Sequence, residues 1–150
     1  MITDRLNTFA LATALNTGAA GTYLVGDVID LGTARDIGQG NPIYLVVQVD
    51  TTATSGGSAT LQIKLASDAQ AAIATDGSAT EHVVSPAIAV ASLTAGKRIL
   101  VVAIPYEGNV YERYLGILQV TGTAAFTAGK IDAFLTQTPS VWKAMADAQN

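Results

Sequence analysis

Between residues 22 and 136 the sequence is a succession of short β-branched and apolar runs, each soon cut by Gly, Pro, Asn or Asp. No stretch sustains the 3.6-residue apolar period that would supply crossover helices, so parallel βαβ architecture is excluded and an all-β fold is predicted. The first strand is predicted over residues 22–31. The next, over 43–50, follows Asn41-Pro42 and is almost continuously apolar through Leu45, Val46, Val47 and Val49, the pattern of a central strand. Residues 60–65 alternate, with Leu61, Ile63 and Leu65 on one side and Gln62 and Lys64 on the other, as in a strand with one solvated face. These two runs, joined by a polar loop over 51–58 that contains Gly56-Gly57, are expected to form a hairpin.

The middle of the chain is weaker. Residues 68–75 are Ala-rich and fit one or two helical turns, too few for a helix that stands alone. Asp76-Gly77 marks a turn. A short strand over 81–84 ends at Ser85-Pro86, and the dense apolar run 98–104 stops at Pro105. Further strands are predicted over 114–120, with both faces buried, and over 130–136. Gly122 and Gly129 are expected to bracket the turn between them. Seven or eight strands in one domain suit a two-sheet β-sandwich of jelly-roll type. The expected organisation is an N-terminal arm over 1–21, a jelly-roll domain over 22–138 and a C-terminal tail over 139–150. On that reading, trimming residues 1–20 spares the fold.

Composition bounds function. A chain of 150 residues can bury roughly 70% of its unfolded surface, so it needs no metal or disulfide staple. It has no Cys, which excludes Cys-ligated zinc and suits a reducing cytoplasm. Only 13% of residues are charged, against about 25% in average proteins, so a Thr-, Ser- and Ala-rich surface loses little ionic hydration when a partner covers it. With a net charge of −4 and Lys97-Arg98 as the sole adjacent basic pair, nucleic acid is not an expected partner. No apolar stretch nears the roughly 20 residues of a membrane helix. The mildly apolar segment from Phe9 to Leu15 is broken by Thr13 and lacks a net positive lead, so it is read as mature protein.

Chemistry is sparse. His82 is the only histidine, too few for a cupin-type metal centre or a facial triad. A Ser–His–Asp triad would have to recruit it, and no serine sits in a Gly-x-Ser-x-Gly elbow. Asp27 with Asp30, and Glu107 with Glu112, are the carboxylate pairs available for acid–base work, in polar surroundings where solvated charge is the ordinary state. Gly38-Gln39-Gly40 precedes a strand instead of a helix and lacks a third glycine, so it reads as a turn. No catalytic residue, cofactor or metal is therefore expected. Two segments stand out as contact surfaces. The run from Tyr106 to Tyr114 places three of the five tyrosines among charges, and its Tyr106, Tyr111, Arg113 and Tyr114 are of the types that interface hot spots favour. Tyr106 and Tyr114 can equally close the ends of the sandwich. Trp142, beyond the last strand, must bury its indole on its own domain or on a neighbour.

Several words of the sequence, in order, resemble the Bordetella-phage-type capsid cement (decoration) proteins of tailed bacteriophages. They are Asp27-Val28-Ile29-Asp30-Leu31-Gly32, Val47-Gln48-Val49-Asp50, Thr54-Ser55-Gly56-Gly57-Ser58-Ala59-Thr60-Leu61, Ser85-Pro86-Ala87-Ile88, Leu93-Thr94-Ala95-Gly96, Glu112-Arg113-Tyr114-Leu115, Ala128-Gly129-Lys130 and Trp142-Lys143-Ala144. The segment before Glu112 is longer than the family pattern. The resemblance covers most of the chain. It implies a jelly roll that forms homodimers or homotrimers on the outer surface of an icosahedral virion head and bridges major capsid protein subunits, made in the bacterial cytoplasm and without catalytic residues. The competing expectation is a carbohydrate-binding jelly roll of a phage tail, with Tyr106, Tyr111 or Trp142 as stacking platforms.

Overall fold

A computed structural model describes residues 4–37 and 40–139. Nine strands are present among them: β1 Thr8–Ala14, β2 Gly21–Asp30, β3 Tyr44–Ser55, β4 Thr60–Asp68, β5 Thr80–Val84, β6 Ile88–Ala89, β7 Arg98–Ala103, β8 Tyr114–Gly122 and β9 Phe126–Thr136. They form two antiparallel sheets, ordered β1-β9-β3-β7 and β2-β8-β4-β5, with β6 added to β4. Setting the two-residue β6 aside, the first strand pairs with the last, β2 with β8, β3 with β7 and β4 with β5. This is one long antiparallel hairpin rolled up on itself. Rolling adds the β3–β9 and β4–β8 ladders, and the result is a jelly roll, as the strand pattern and the resemblance both imply.

The main core lies between the sheets. Leu45, Val47 and Val49 of β3 and Ile131 and Ala133 of β9 face Leu61, Ile63 and Leu65 of β4 and Leu115 and Ile117 of β8, all buried. The alternation read in residues 60–65 is thus the core face of β4. A second cluster sits on the opposite side of the five-stranded sheet, where Ala66, Leu118, Leu24 and Val28 meet Ile73 and Ala79 of the loop over 69–79. Gly116 makes room for that loop: a Cβ there would lie 2.6 Å from Ile73 Cδ1. Both faces of β8 are buried, as expected, and the loop is the reason.

Four expectations are corrected. The described part of the segment read as an arm, residues 4–21, carries a strand. Its residues Thr8–Ala14 are β1, paired with β9, and Phe9, Ala10 and Leu15 belong to the main core. Consequently the domain does not begin at residue 22. The runs read as a hairpin, β3 and β4, lie in different sheets. Both edges of β3 are already taken by β7 and β9, so the Gly56-Gly57 loop carries the chain across the sandwich. No helical turn forms over 68–75: Asp68 ends β4, residues 69–72 are bends, and the Asp68 carboxylate accepts the Gln70 and Ala74 amides, the second of which a helix would have paired with a backbone carbonyl. Gly129 lies inside β9 and not at the turn. Its φ is +139°, and a Cβ there would come within 2.9 Å of Ala53 Cα. The tail beyond Pro139, with Trp142, lies outside the described residues.

Buried polar groups fix β1 in place. The Asp132 carboxylate accepts the Ala12 amide at 2.7 Å, holding Ala12 at φ +46° in a bulge, and also accepts Gln48 Nε2 at 2.8 Å. Just beyond β1, Gln119 Oε1 accepts the Asn16 amide, and its Nε2 donates to Asn16 O and Thr121 Oγ1. Every polar atom of the Gln119 amide is thereby engaged inside the core.

Two outcomes follow from this placement. Deleting residues 1–20 removes β1 and exposes the β9 edge, so the trimmed chain is expected to lose cooperative thermal melting by circular dichroism. Phe9→Ala is expected to cost about 3–5 kcal/mol and Leu11→Ala, on the exposed side of the same strand, within about 0.5 kcal/mol, in matched urea denaturations. Equal costs at the two positions would return the segment to the status of an arm.

Candidate interface and the polar cluster beneath it

The connection between β7 and β8 is held at its base and free at its tip. At the base, the Leu31 amide donates to Arg113 O at 2.8 Å and the Arg35 amide to Tyr111 O at 3.0 Å. The Glu112 amide donates to Ser67 Oγ at 3.0 Å, and Thr80 Oγ1 donates to Glu112 Oε1 at 2.8 Å. Between these ties and Pro105, residues 106–110 are all exposed, Tyr106 at 55% and Val110 at 56%. Gly108 turns the tip at φ +113°. A projecting tip on a braced base presents apolar groups in a fixed place, which lowers the ordering cost of binding.

The four described interface candidates do not act together. Tyr106 is at the exposed tip. Tyr111 is not a surface residue: it is 1% exposed, stacks on His82 with ring centroids 3.8 Å apart, and donates its hydroxyl to Pro105 O at 2.6 Å. Burial, with Asp36 adding, pushes its phenol up to about 12. The segment before Glu112 thus dips its aromatic ring into the core and returns. Arg113 is exposed and grips Asp30 with two hydrogen bonds of 2.9 Å, its guanidinium 4.9 Å from the centre of the Tyr114 ring. Tyr114, at the start of β8, is half-buried. Trp142 lies outside the described residues.

One surface was missed. Where the start of β1 meets the end of β2, a groove of about 600 Å³ opens between Arg5, Leu6, Asp27, Ile29, Leu31 and Arg35. It adjoins the loop base through Leu31, Arg35 and the Asp30–Arg113 pair, so groove and tip share one end of the sandwich. Strand periodicity carries no sign of it, because it forms from the meeting of two strands from different sheets.

The groups weighed for chemistry are engaged in structure. His82 does meet a serine: Ser67 Oγ and His82 Nε2 are 2.7 Å apart. Ser67 is 0% exposed, however, and its hydroxyl oxygen also accepts the Glu112 amide, so the pair is tied to the base of the loop. Burial lowers the His82 pKa, opposed by the charges of Glu112 and Asp36, and the ring is neutral at neutral pH. Asp30 is held at about 2 by Arg113 and the Gly32 amide. Asp27 lines the groove together with Asp30, whose carboxylate is taken by Arg113, and Glu107 is at the exposed tip while Glu112 is tied to Thr80. Of the glycine-rich turn, Gly38 and Gln39 lie outside the described residues. Among the described residues no three of His, Asp or Glu converge as metal ligands.

These shifts set the pH response. A neutral buried His82 takes up a proton less readily in the folded state than in the unfolded chain. Its contribution is therefore full above the unfolded value of 6.5 and declines as pH falls through the lowered folded value. Urea stability is expected to drop on mild acidification and His82→Phe to flatten that drop; an unchanged slope in the variant would place the titrating group elsewhere. Asp30 contributes above 3.8 and loses its contribution toward about 2, and Arg113→Ala is expected to return its carboxyl toward 3.8 in an NMR titration.

No curated protein matches the sequence. Residues 9–135, from β1 into β9, match the Bbp16 family. The chain belongs to the Bbp16 family, whose name points to a Bordetella phage protein.

Proposed function

We propose that the protein is a capsid cement protein: it sits on the outer surface of a tailed-phage head and joins neighbouring major capsid protein subunits without catalysis. The observation that carries this reading is the Bbp16 match from β1 into β9, nearly the whole jelly roll, so that the family likeness belongs to the fold as a unit and not to a local motif. The geometry adds support. Polar groups that resemble a catalytic set are committed to holding loops, and three of the exposed large apolar side chains, Tyr106 and Val110 on the tip and Leu6 beside the groove, share one end, while Leu11, Val84 and Val101 lie on other strands. That end is the proposed contact with the shell. The protein is proposed to act as a homodimer or homotrimer, made in the bacterial cytoplasm and carried on the virion exterior. The carbohydrate-binding alternative loses Tyr111, whose ring is stacked on His82 and sealed from any sugar.

Co-sedimentation with capsids stripped of decoration tests the proposal. The full chain is expected to pellet with the shells. Tyr106→Ala with Val110→Ala is expected to weaken attachment about tenfold or more while leaving the melting temperature unchanged, the behaviour of central hot-spot residues. Failure to pellet, with binding to a glycan panel, would replace the cement reading. Light scattering at tens of micromolar is expected to show a dimer or trimer; a strict monomer would remove the oligomer from the proposal.

A further inference from the structure

The groove between the start of β1 and the end of β2 is a slot walled by two continuous stretches, residues 5–8 and 27–31. The next residues inward, Phe9 and Gly26, touch: a Cβ at Gly26 would collide with Phe9 O. The two edge segments therefore meet at that point and splay apart beyond it. β2 is the outer strand of its sheet, paired with β8 on one side and, among the described residues, with no strand on the other. The stretch 27–31 thus borders the groove with a strand edge, about 17 Å long at the usual rise. A cleft of about 600 Å³ beside a free edge is dimensioned for an extended peptide, which adds to a sheet through backbone hydrogen bonds and is read through its alternate side chains.

The charges select the kind of peptide. Three of the chain's four arginines are at this end: Arg5 and Arg35 line the groove, and Arg113 stands at its rim on Asp30. Most carboxylates nearby are taken. Asp30 is held by Arg113, and Asp4 accepts the Leu6 amide and Asn7 Nδ2. Among the described residues the guanidiniums of Arg5 and Arg35 have no ion-pair or hydrogen-bond partner, and Asp27 is the one lining carboxylate left free. Two uncommitted guanidiniums against one carboxylate give the groove a positive excess in a chain whose net charge is −4. A guanidinium takes a carboxylate through two parallel hydrogen bonds. Between these charges the lining is apolar, with Leu6, Val28, Ile29 and Leu31.

We propose that this groove binds an extended acidic segment of the shell protein, laid along the β2 edge with carboxylates on Arg5 and Arg35 and apolar side chains against Ile29 and Leu31. The chemistry of the segment follows from the groove alone; that the shell supplies it rests on the cement proposal.

The test uses the isotopically labelled full-length chain and a blocked heptapeptide of alternating aspartate and valine, with a lysine-for-aspartate peptide as its counterpart. In NMR titrations the acidic peptide is expected to shift the amides of residues 27–31. Arg5 and Arg35 are both exposed, so exchanging them costs the fold little. Arg5→Gln with Arg35→Gln is expected to weaken the acidic peptide about fivefold or more, and Arg5→Glu with Arg35→Glu to reverse the preference toward the lysine peptide. No shift at millimolar acidic peptide, or equal shifts with both peptides, would overturn the proposal. So would shifts of the same amides on raising the protein concentration alone, because the groove would then hold a sister copy. With stripped capsids, the glutamine variant is expected to bind about fivefold or more weaker than the parent; equal binding would remove the shell as the source of the segment. If the parent itself does not pellet with capsids, the cement reading fails, and the peptide titration still decides what the groove binds.

Discussion

β9 pairs with β1 on one side and β3 on the other, and most of the molecule depends on those two ladders. The β3–β9 ladder brings the last strand of the rolled hairpin against its middle and so closes the roll. The β1–β9 ladder then places Phe9 and Ala10 over the open end of the core. Both ladders join segments far apart in sequence, so their loop-closure entropy must be met before burial rewards it. The polar ties at this seam make the closure specific. Asp132 is nearly buried yet fully used, by Ala12 on one neighbouring strand and Gln48 on the other. An apolar residue at 132 would leave the bulged Ala12 amide without its acceptor, which is the costly side of a buried hydrogen bond.

Strands whose own sequence satisfies them were legible. β3, β4 and β8 carry continuous or alternating apolar residues, and the structure buries those faces. β1 was not legible, for a physical reason. Its sequence, Thr-Phe-Ala-Leu-Ala-Thr-Ala, has two register breaks, leaves Leu11 in solvent and uses Ala where strands prefer branched residues. Its strand character is supplied by β9, Asp132 and Gln119, all more than a hundred residues away. The β3–β4 error has the same origin. Two amphipathic runs separated by glycines look alike whether they lie side by side or face each other across a core, and only the strands that compete for β3's edges decide.

The candidate site was partly legible. The tyrosine-rich segment is indeed the projecting loop, but aromatic content alone does not separate Tyr106 from Tyr111. Five residues apart, one is in solvent and the other stacked on His82, because the ties at Arg35 and Ser67 fix which part of the loop turns inward. The Ser67–His82 contact makes a related point. The pair has the distance of a nucleophile and its base, yet burial and the Glu112 amide turn it into a brace for the loop above. Geometry without access describes structure, not catalysis.

Reassigning residues 8–14 to the core also changes how a cement protein of this kind would hold a shell. An arm adds grip by linking weak contacts through a flexible tether, which raises the effective concentration of each next contact. With β1 locked to β9, Phe9 buried and the Asn16 amide held by Gln119, that tether is absent over the segment first read as one. What the described fold offers instead is a rigid end bearing Tyr106, Val110 and Leu6, with a surface low in charge. A single rigid end makes one modest contact. On the proposed cement reading, multiple attachment would then come from joining copies, each presenting the same end to equivalent places on the shell. Rigidity favours that arrangement: linked rigid contacts bind strongly when their spacing matches the shell and weakly when it does not, so the same feature that strengthens attachment would make it selective for the lattice.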